Sequence, residues 1–136
     1  MDNLYARAVF FVKDAARSLR FYTEHLGFSV DWKDSNEDPP YVFQVSLFGF
    51  ELILNQVSEQ TRERAGHGRI FIGLGDDQME PVRKHIAAKG IQTERVDWGR
   101  STLVIRDPDQ NELFFWDWPA QETAAVEPSE VAQQTQ

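Results

Sequence analysis

Apolar and polar residues alternate through residues 7–14, Arg-Ala-Val-Phe-Phe-Val-Lys-Asp. A matching segment, Arg-Ile-Phe-Ile-Gly-Leu-Gly-Asp, recurs 62 positions later over residues 69–76. Alternation with aromatic and branched side chains predicts a strand in each. Asp14 and Asp76 then stand where a carboxylate caps a helix by accepting its free backbone N–H groups. Ala15, Leu19, Tyr22 and Leu26 form one apolar stripe at helical spacing, and Met79, Val82 and Ile86 form a weaker one, with Pro81 tolerable near the first turn. Both helices are expected to stop at glycine, Gly27 and Gly90.

Three strand patterns follow in each half. In the first half they are residues 28–33, 41–48 and 50–56, punctuated by Asp38-Pro39-Pro40 and Gly49. In the second they are residues 91–97, 102–106 and 112–116, with turns at Gly99 and Asp107-Pro108-Asp109. Polar residues 57–66 join the halves. The chain therefore reads as two βαβββ repeats, about residues 4–56 and 67–118, an α+β fold. One helix per repeat covers one face of its sheet. The uncovered faces predict a cupped mixed sheet around a central cavity.

Length and composition add bounds. A chain of 136 residues, 41% apolar, supports one domain with a hydrophobic core, placed at residues 1–119. Residues 120–136 carry Glu122, Glu127 and Glu130 without Lys or Arg and have no apolar period, which predicts a disordered acidic tail. The net charge of −8 argues against a nucleic-acid partner. No apolar run reaches the roughly 20 residues of a membrane span. Met-Asp-Asn at the start lacks the basic and apolar regions of a secretory signal, so a cytoplasmic location is expected. The absence of Cys removes disulfides and thiolate metal sites.

Two motifs carry a resemblance. The run after the first strand contains Asp14, Ser18, Phe21, Tyr22, Leu26, Gly27 and Phe28, and residues 106–113 close the second repeat as Arg-Asp-Pro-Asp-Gln-Asn-Glu-Leu. Over residues 4–118 the chain resembles the vicinal oxygen chelate superfamily of glyoxalases, extradiol dioxygenases, fosfomycin-resistance enzymes and bleomycin-resistance proteins. Gln110 departs from the glycine common in that turn. Metal enzymes of the superfamily take His, Gln or Glu ligands from the first and last strands of each repeat, on the cavity face. The resemblance places those positions at Arg7, Glu51, Arg69 and Phe114. Of these only Glu51 could ligate, and two guanidinium cations would repel a metal, so no metal and no cofactor are expected. His25 suits the C-terminal end of its helix, His85 a helix surface, and His67 the rim of the cavity.

On the same face, Arg7, Glu51 and Arg69 form an expected charged cluster on the cavity floor. It reads either as a structural ion-pair network or as an arginine left to bind a ligand's carboxylate, phosphate or polar oxygen. A weaker reading makes Glu51 a general base. Phe11, Phe71, Phe114 and Trp116 share that face, with Trp32 and Trp98 nearby. Phe10, Val12, Ile70, Ile72, Leu52, Leu54, Leu113 and Phe115 already supply the helix-facing core. The additional aromatics suit stacking on a planar ligand.

Arg7, Phe11, Glu51, Arg69, Phe71, Phe114 and Trp116 are thus the candidate binding residues. The leading expectation is a metal-free homodimer that binds a small aromatic molecule, an antibiotic or a metabolite, similar in character to the bleomycin-resistance members. The alternative is a glyoxalase-like lyase or isomerase, metal-dependent or with Glu51 as base. A homodimeric scaffold without a pocket is the third reading.

Overall fold

The computed structural model describes residues 5–34, 36 and 38–117. The expected tail, residues 120–136, lies outside these described residues. The first repeat runs β1 (Ala8–Val12), α1 (Ala15–Arg20), β2 (Ser29–Lys33), β3 (Val42–Leu47) and β4 (Phe50–Gln56). The second runs β5 (Arg69–Ile72), α2 (Asp76–Lys89), β6 (Thr93–Asp97), β7 (Ser101–Arg106) and β8 (Glu112–Trp116). The βαβββ repeat is therefore present twice. Each repeat makes a four-stranded mixed sheet, ordered β1-β4-β3-β2 and β5-β8-β7-β6. In both, the first strand pairs parallel with the last, and the remaining pairs are antiparallel.

The helix starts differ from one another. Asp14 caps α1, its side chain accepting the Arg17 N–H. Asp76 does not cap α2. It is the first helical residue, and Gly75 holds the extended cap position while Gln78 Oε1 accepts the Gly75 N–H at 3.1 Å. The bond that a capping side chain would supply comes instead from a glutamine three residues on. Beyond Arg20, α1 widens into a π-helical turn over Phe21–His25, which keeps Tyr22 and Leu26 both pointing inward before Gly27 turns the chain at φ +84°. Gly90 ends α2 in the left-handed conformation.

Alternation buries one face of each sheet. Phe10, Leu52, Leu54, Val45 and Leu47 from the first repeat join Ile72, Leu103, Ile105, Leu113 and Phe115 from the second. Tyr22, Leu26, Met79 and Val82 from the helices complete this one core. Each fully buried Leu or Phe contributes about 1.5–3 kcal/mol relative to exposure. Because both helix-covered faces share a core, the other face of each sheet is turned away from it.

Polar ties fix the repeats against each other. The β7–β8 turn reaches back to the first repeat: Asp109 accepts from the Lys13 N–H at 3.1 Å and from Arg17 at 3.2 Å. Asn111 donates to the Phe11 carbonyl at 3.2 Å and accepts the Gly68 N–H at 2.7 Å. Within the second repeat, buried Asp117 holds Arg83 of α2 at 2.7 Å and Arg95 of β6 at 2.8 Å. No helix among the described residues is long and apolar enough to cross a membrane.

Candidate functional site

On the open face of the first sheet, Arg7 Nε donates to Glu51 Oε1 at 2.7 Å. The register explains this pair. Ala8 stands opposite Leu52, so Arg7 and Glu51 are the next pair out along parallel strands. The Arg7 pKa is raised, mainly by the hydrogen bond to Glu51 against a smaller opposing effect of burial. A bulge between Val30 and Trp32 breaks the alternation of β2 and turns both Asp31 and Trp32 toward this face. Asp31 accepts from Gln44 Nε2 at 2.9 Å and from the Ser46 hydroxyl at 2.8 Å, and Trp32 Nε1 donates to Gln44 Oε1 at 3.1 Å. Sequence alternation alone could not show this network, because the bulge changes which residues share a face. Phe11 is half-buried on the same strand, with the Arg64 guanidinium 5.7 Å from its ring centre.

The open face of the second sheet is aromatic. Phe71 meets Trp116 edge-on at 4.7 Å and Trp98 at 5.7 Å, and Trp98 lies 5.3 Å from Phe114. Arg69 sits over Phe114 at 5.3 Å and Arg100 over Trp116 at 3.9 Å. Trp98 is 51% exposed and Trp116 37% exposed, so the rings offer surface rather than a sealed core. Beside them, Arg69 pairs with Glu112 at 3.1 Å, and Arg106 bridges Glu112 at 3.0 Å and Glu94 at 2.7 Å. The hydrogen bonds to Glu94 and Glu112 raise the Arg106 pKa.

The candidate residues thus fall into two groups. Phe71, Phe114 and Trp116 come together, joined by Trp98. Arg7 and Glu51 come together on the other sheet. Arg69 does not join them, because its strand register sets it opposite Glu112. The expected cluster of Arg7, Glu51 and Arg69 is therefore corrected to two separate ion pairs, one per repeat. The same register shows that Glu112, not Phe114, is the repeat counterpart of Glu51. Spacing two residues along β8 puts Glu112 on the Phe114 face, which was the available sequence signal.

The donor set does not fit a divalent metal. Of Arg7, Glu51, Arg69 and Phe114 only Glu51 can ligate, and it, like Glu112 opposite Arg69, is bound by an arginine whose nitrogens offer no lone pair. Among the described residues no three His, Asp or Glu side chains converge. His67 is exposed just before β5, while His25 and His85 line grooves between the repeats, away from both open faces.

Comparison with curated protein sequences finds no match. Solved structures with the same fold include an integron cassette protein from the mobile metagenome of Halifax Harbour sewage outfall. It is 22% identical, with 85% of this chain and 97% of that chain covered at a TM-score of 0.63. A glyoxalase/bleomycin resistance protein from Streptomyces sp. CB03234 is 19% identical over 82% of this chain and 100% of its own, TM-score 0.58. A lactoylglutathione lyase from Agrobacterium tumefaciens is 16% identical over 84% and 92%, TM-score 0.61. At such identities the likeness speaks for the fold alone. The family model for the glyoxalase/bleomycin resistance protein/dioxygenase superfamily matches residues 5–115, which takes in both repeats, and the chain belongs to that superfamily.

Proposed function

We propose that this chain binds a planar small molecule, an aromatic antibiotic or metabolite, on the open face of its second sheet and does so without metal. The observation that carries this reading is the four-ring cluster in which Trp98 and Trp116 are exposed over the half-buried Phe71 and the buried Phe114, bordered by the guanidiniums of Arg69 and Arg100. An aromatic ligand stacks on such rings, and an arginine edge orients a carboxylate or other polar group on it. Rings that only filled a core would be buried by the helices. Here the helices cover the opposite face.

Binding is favoured over proton abstraction by the state of the two carboxylates. Glu51 receives Arg7, and Glu112 receives both Arg69 and Arg106. The role proposed is sequestration of the ligand, with a second copy of the chain covering the open faces. In that arrangement Arg7, Phe11 and Glu51 of one copy contribute polar and aromatic surface opposite the ring cluster of the other.

Tryptophan emission tests the reading. A panel of planar aromatic antibiotics and metabolites is titrated into the wild type, with Trp116→Phe and Trp98→Phe to assign the response. A saturable change that weakens in Trp116→Ala, by about 1–3 kcal/mol for a lost aromatic anchor, supports it. Failure of every compound to perturb the emission would replace binding with the scaffold role.

A further inference from the structure

The two repeats meet in two grooves at corresponding places. Each groove lies between the helix of one repeat and the edge of the other repeat's sheet, and each contains the glycine that ends a helix. The first groove, about 320 Å³, holds Gly27 and is bordered by Pro81, Val82 and His85 of α2. The second, about 660 Å³, holds Gly90 and is bordered by Phe21 and His25 of the first helix. Their fillings differ. His85 is packed onto Gly27 so closely that a Cβ there would meet Nε2 at 2.6 Å. Nothing lies within 4 Å of the corresponding point on Gly90. The histidine narrows one groove, and its counterpart, without such a side chain at Gly90, is about twice as large.

The larger groove is lined by groups with unused hydrogen-bonding capacity. Among the described residues Lys89 has no ion pair, and the side chains of Gln92, Thr93 and Gln110 make no hydrogen bond. Arg106 adds no free charge, since Glu94 and Glu112 already hold it. His25 is stacked on Phe21 at 5.6 Å, with its Nδ1 buried and without a partner. An orphaned buried acceptor is tolerated better than an orphaned N–H, so the buried, unpartnered Nδ1 favours the tautomer that carries its proton on Nε2. Nε2 is not among the buried unpartnered atoms, so it keeps access to solvent as a donor. A cation and a ring N–H donor thus border an apolar floor of Phe21 and Ile91, on a chain whose net charge is −8.

We propose that this groove is a second ligand site, separate from the aromatic sheet face, for a small molecule carrying a carboxylate or phosphate oxyanion on an apolar ring. Lys89 and His25 Nε2–H receive the oxyanion, and Phe21 and Ile91 receive the ring. Because residues from both repeats form it, occupancy ties α1 to β6.

Benzoate and phenyl phosphate are the probes, titrated into uniformly 15N-labelled full-length protein and followed by amide and indole resonances. Saturable shifts at Gly90, Ile91, Gln92 and Thr93, with the indole signals of Trp98 and Trp116 unmoved, are expected. The tighter of the two probes identifies the oxyanion. Lys89→Glu weakens the response about tenfold, the loss expected for a charge-assisted hydrogen bond. Gln92→Trp, an exposed substitution that fills the groove without touching the core, abolishes it. Circular dichroism melts confirm that both variants fold. The proposal is overturned if neither probe gives saturable shifts in the 90–93 segment. It is equally overturned if both variants respond as the wild type does, or if the shifts appear only at Trp98 and Trp116.

Discussion

The phenol oxygen of Tyr22, on the first helix, lies 2.9 Å from Oδ2 of Asp107, at the start of the β7–β8 turn. Both side chains are buried, and the bond joins the two repeats through the core. Asp107 also accepts the backbone N–H groups of Asp109 and Asn111, each at 2.9 Å, and the Asn111 amide at 3.0 Å. Burial, followed by the charge of Asp107, pushes the Tyr22 pKa well above 10, so the phenol is a donor at all ordinary pH. Tyr22→Phe removes one donor to a buried carboxylate while keeping the ring. A loss of about 1.5–3 kcal/mol is expected from that charged hydrogen bond. Urea unfolding measures it, and an unchanged midpoint would show the bond to be dispensable.

Burial also raises the Asp107 carboxyl above its usual 3.8, against the opposing hydrogen bonds from Asn111 and Tyr22. The folded chain therefore holds this proton more tightly than the unfolded chain. The group's contribution to stability falls as pH climbs from 3.8 through the raised folded value and is level above it. Asp107→Asn removes the titration. The Tm gap, wild type minus variant, is expected to be most favourable to the wild type in acid and to shift against it across that window. A gap moving the other way would contradict the assignment.

Gln110 adopts φ +80°, a conformation that favours glycine, while its N–H donates to the Asp107 carbonyl at 2.9 Å. Gln110→Gly keeps that bond and relieves the left-handed strain of about 1–2 kcal/mol, offset by the larger backbone freedom of glycine in the unfolded chain. A net gain of about 0.5–1 kcal/mol is expected in thermal melts. A lower Tm would mean that the glutamine side chain stabilises the turn.

The repeat was legible because both first strands run from an Arg through an apolar stretch to an Asp seven residues on, and because helix stripes, capping Asp14 and terminal glycines each leave a local mark. Register was less so. Residues 34–41 separate β2 from β3, against 98–100 between β6 and β7, whereas the β7–β8 turn is longer than the β3–β4 turn at Phe48 and Gly49. The differences nearly cancel, so counting from the helix ends matched Glu51 to Phe114 instead of Glu112. The Gly75 cap was hidden because glycine has no side chain to recognise and Asp76 beside it imitates one. The Asp31 bulge leaves no signature in composition. The aromatic face survived these errors because Phe71, Phe114 and Trp116 keep strict alternation within their own strands.

Arginine pairing at Glu51 and Glu112 leads to an expectation about metals. Protein purified without chelator should carry no stoichiometric zinc, nickel, manganese or iron by elemental analysis, because a divalent cation would have to displace Arg7 or Arg69 and face the other guanidiniums. Arg7→His and Arg69→His together replace these cations with neutral donors beside the two glutamates. That double variant is the one expected to gain metal. About one metal per wild-type chain, lost on Glu51→Gln, would defeat the expectation.

The open faces also bear on assembly. Val9, Trp32, Trp98 and Trp116 are all more than a third exposed there, and β1, β2, β5 and β6 are the edge strands of their sheets. Exposed apolar surface next to free edges is normally covered, and a twofold pairing of identical chains is the simplest closed way to cover it. A homodimer of about 31 kDa, twice the 15.7 kDa chain, is therefore expected by light scattering at micromolar concentration. Trp98→Asp places a charge on the aromatic face and should shift the population toward monomer, whereas Asp77→Lys, on the exposed first turn of α2, should not. If the ligand sits between the apposed faces, binding and dimerisation are linked, and ligand must raise the dimer fraction of Trp98→Asp or of dilute wild type. A monomeric wild type that still binds its ligand would place the whole site on one chain's aromatic face and remove Arg7, Phe11 and Glu51 from it.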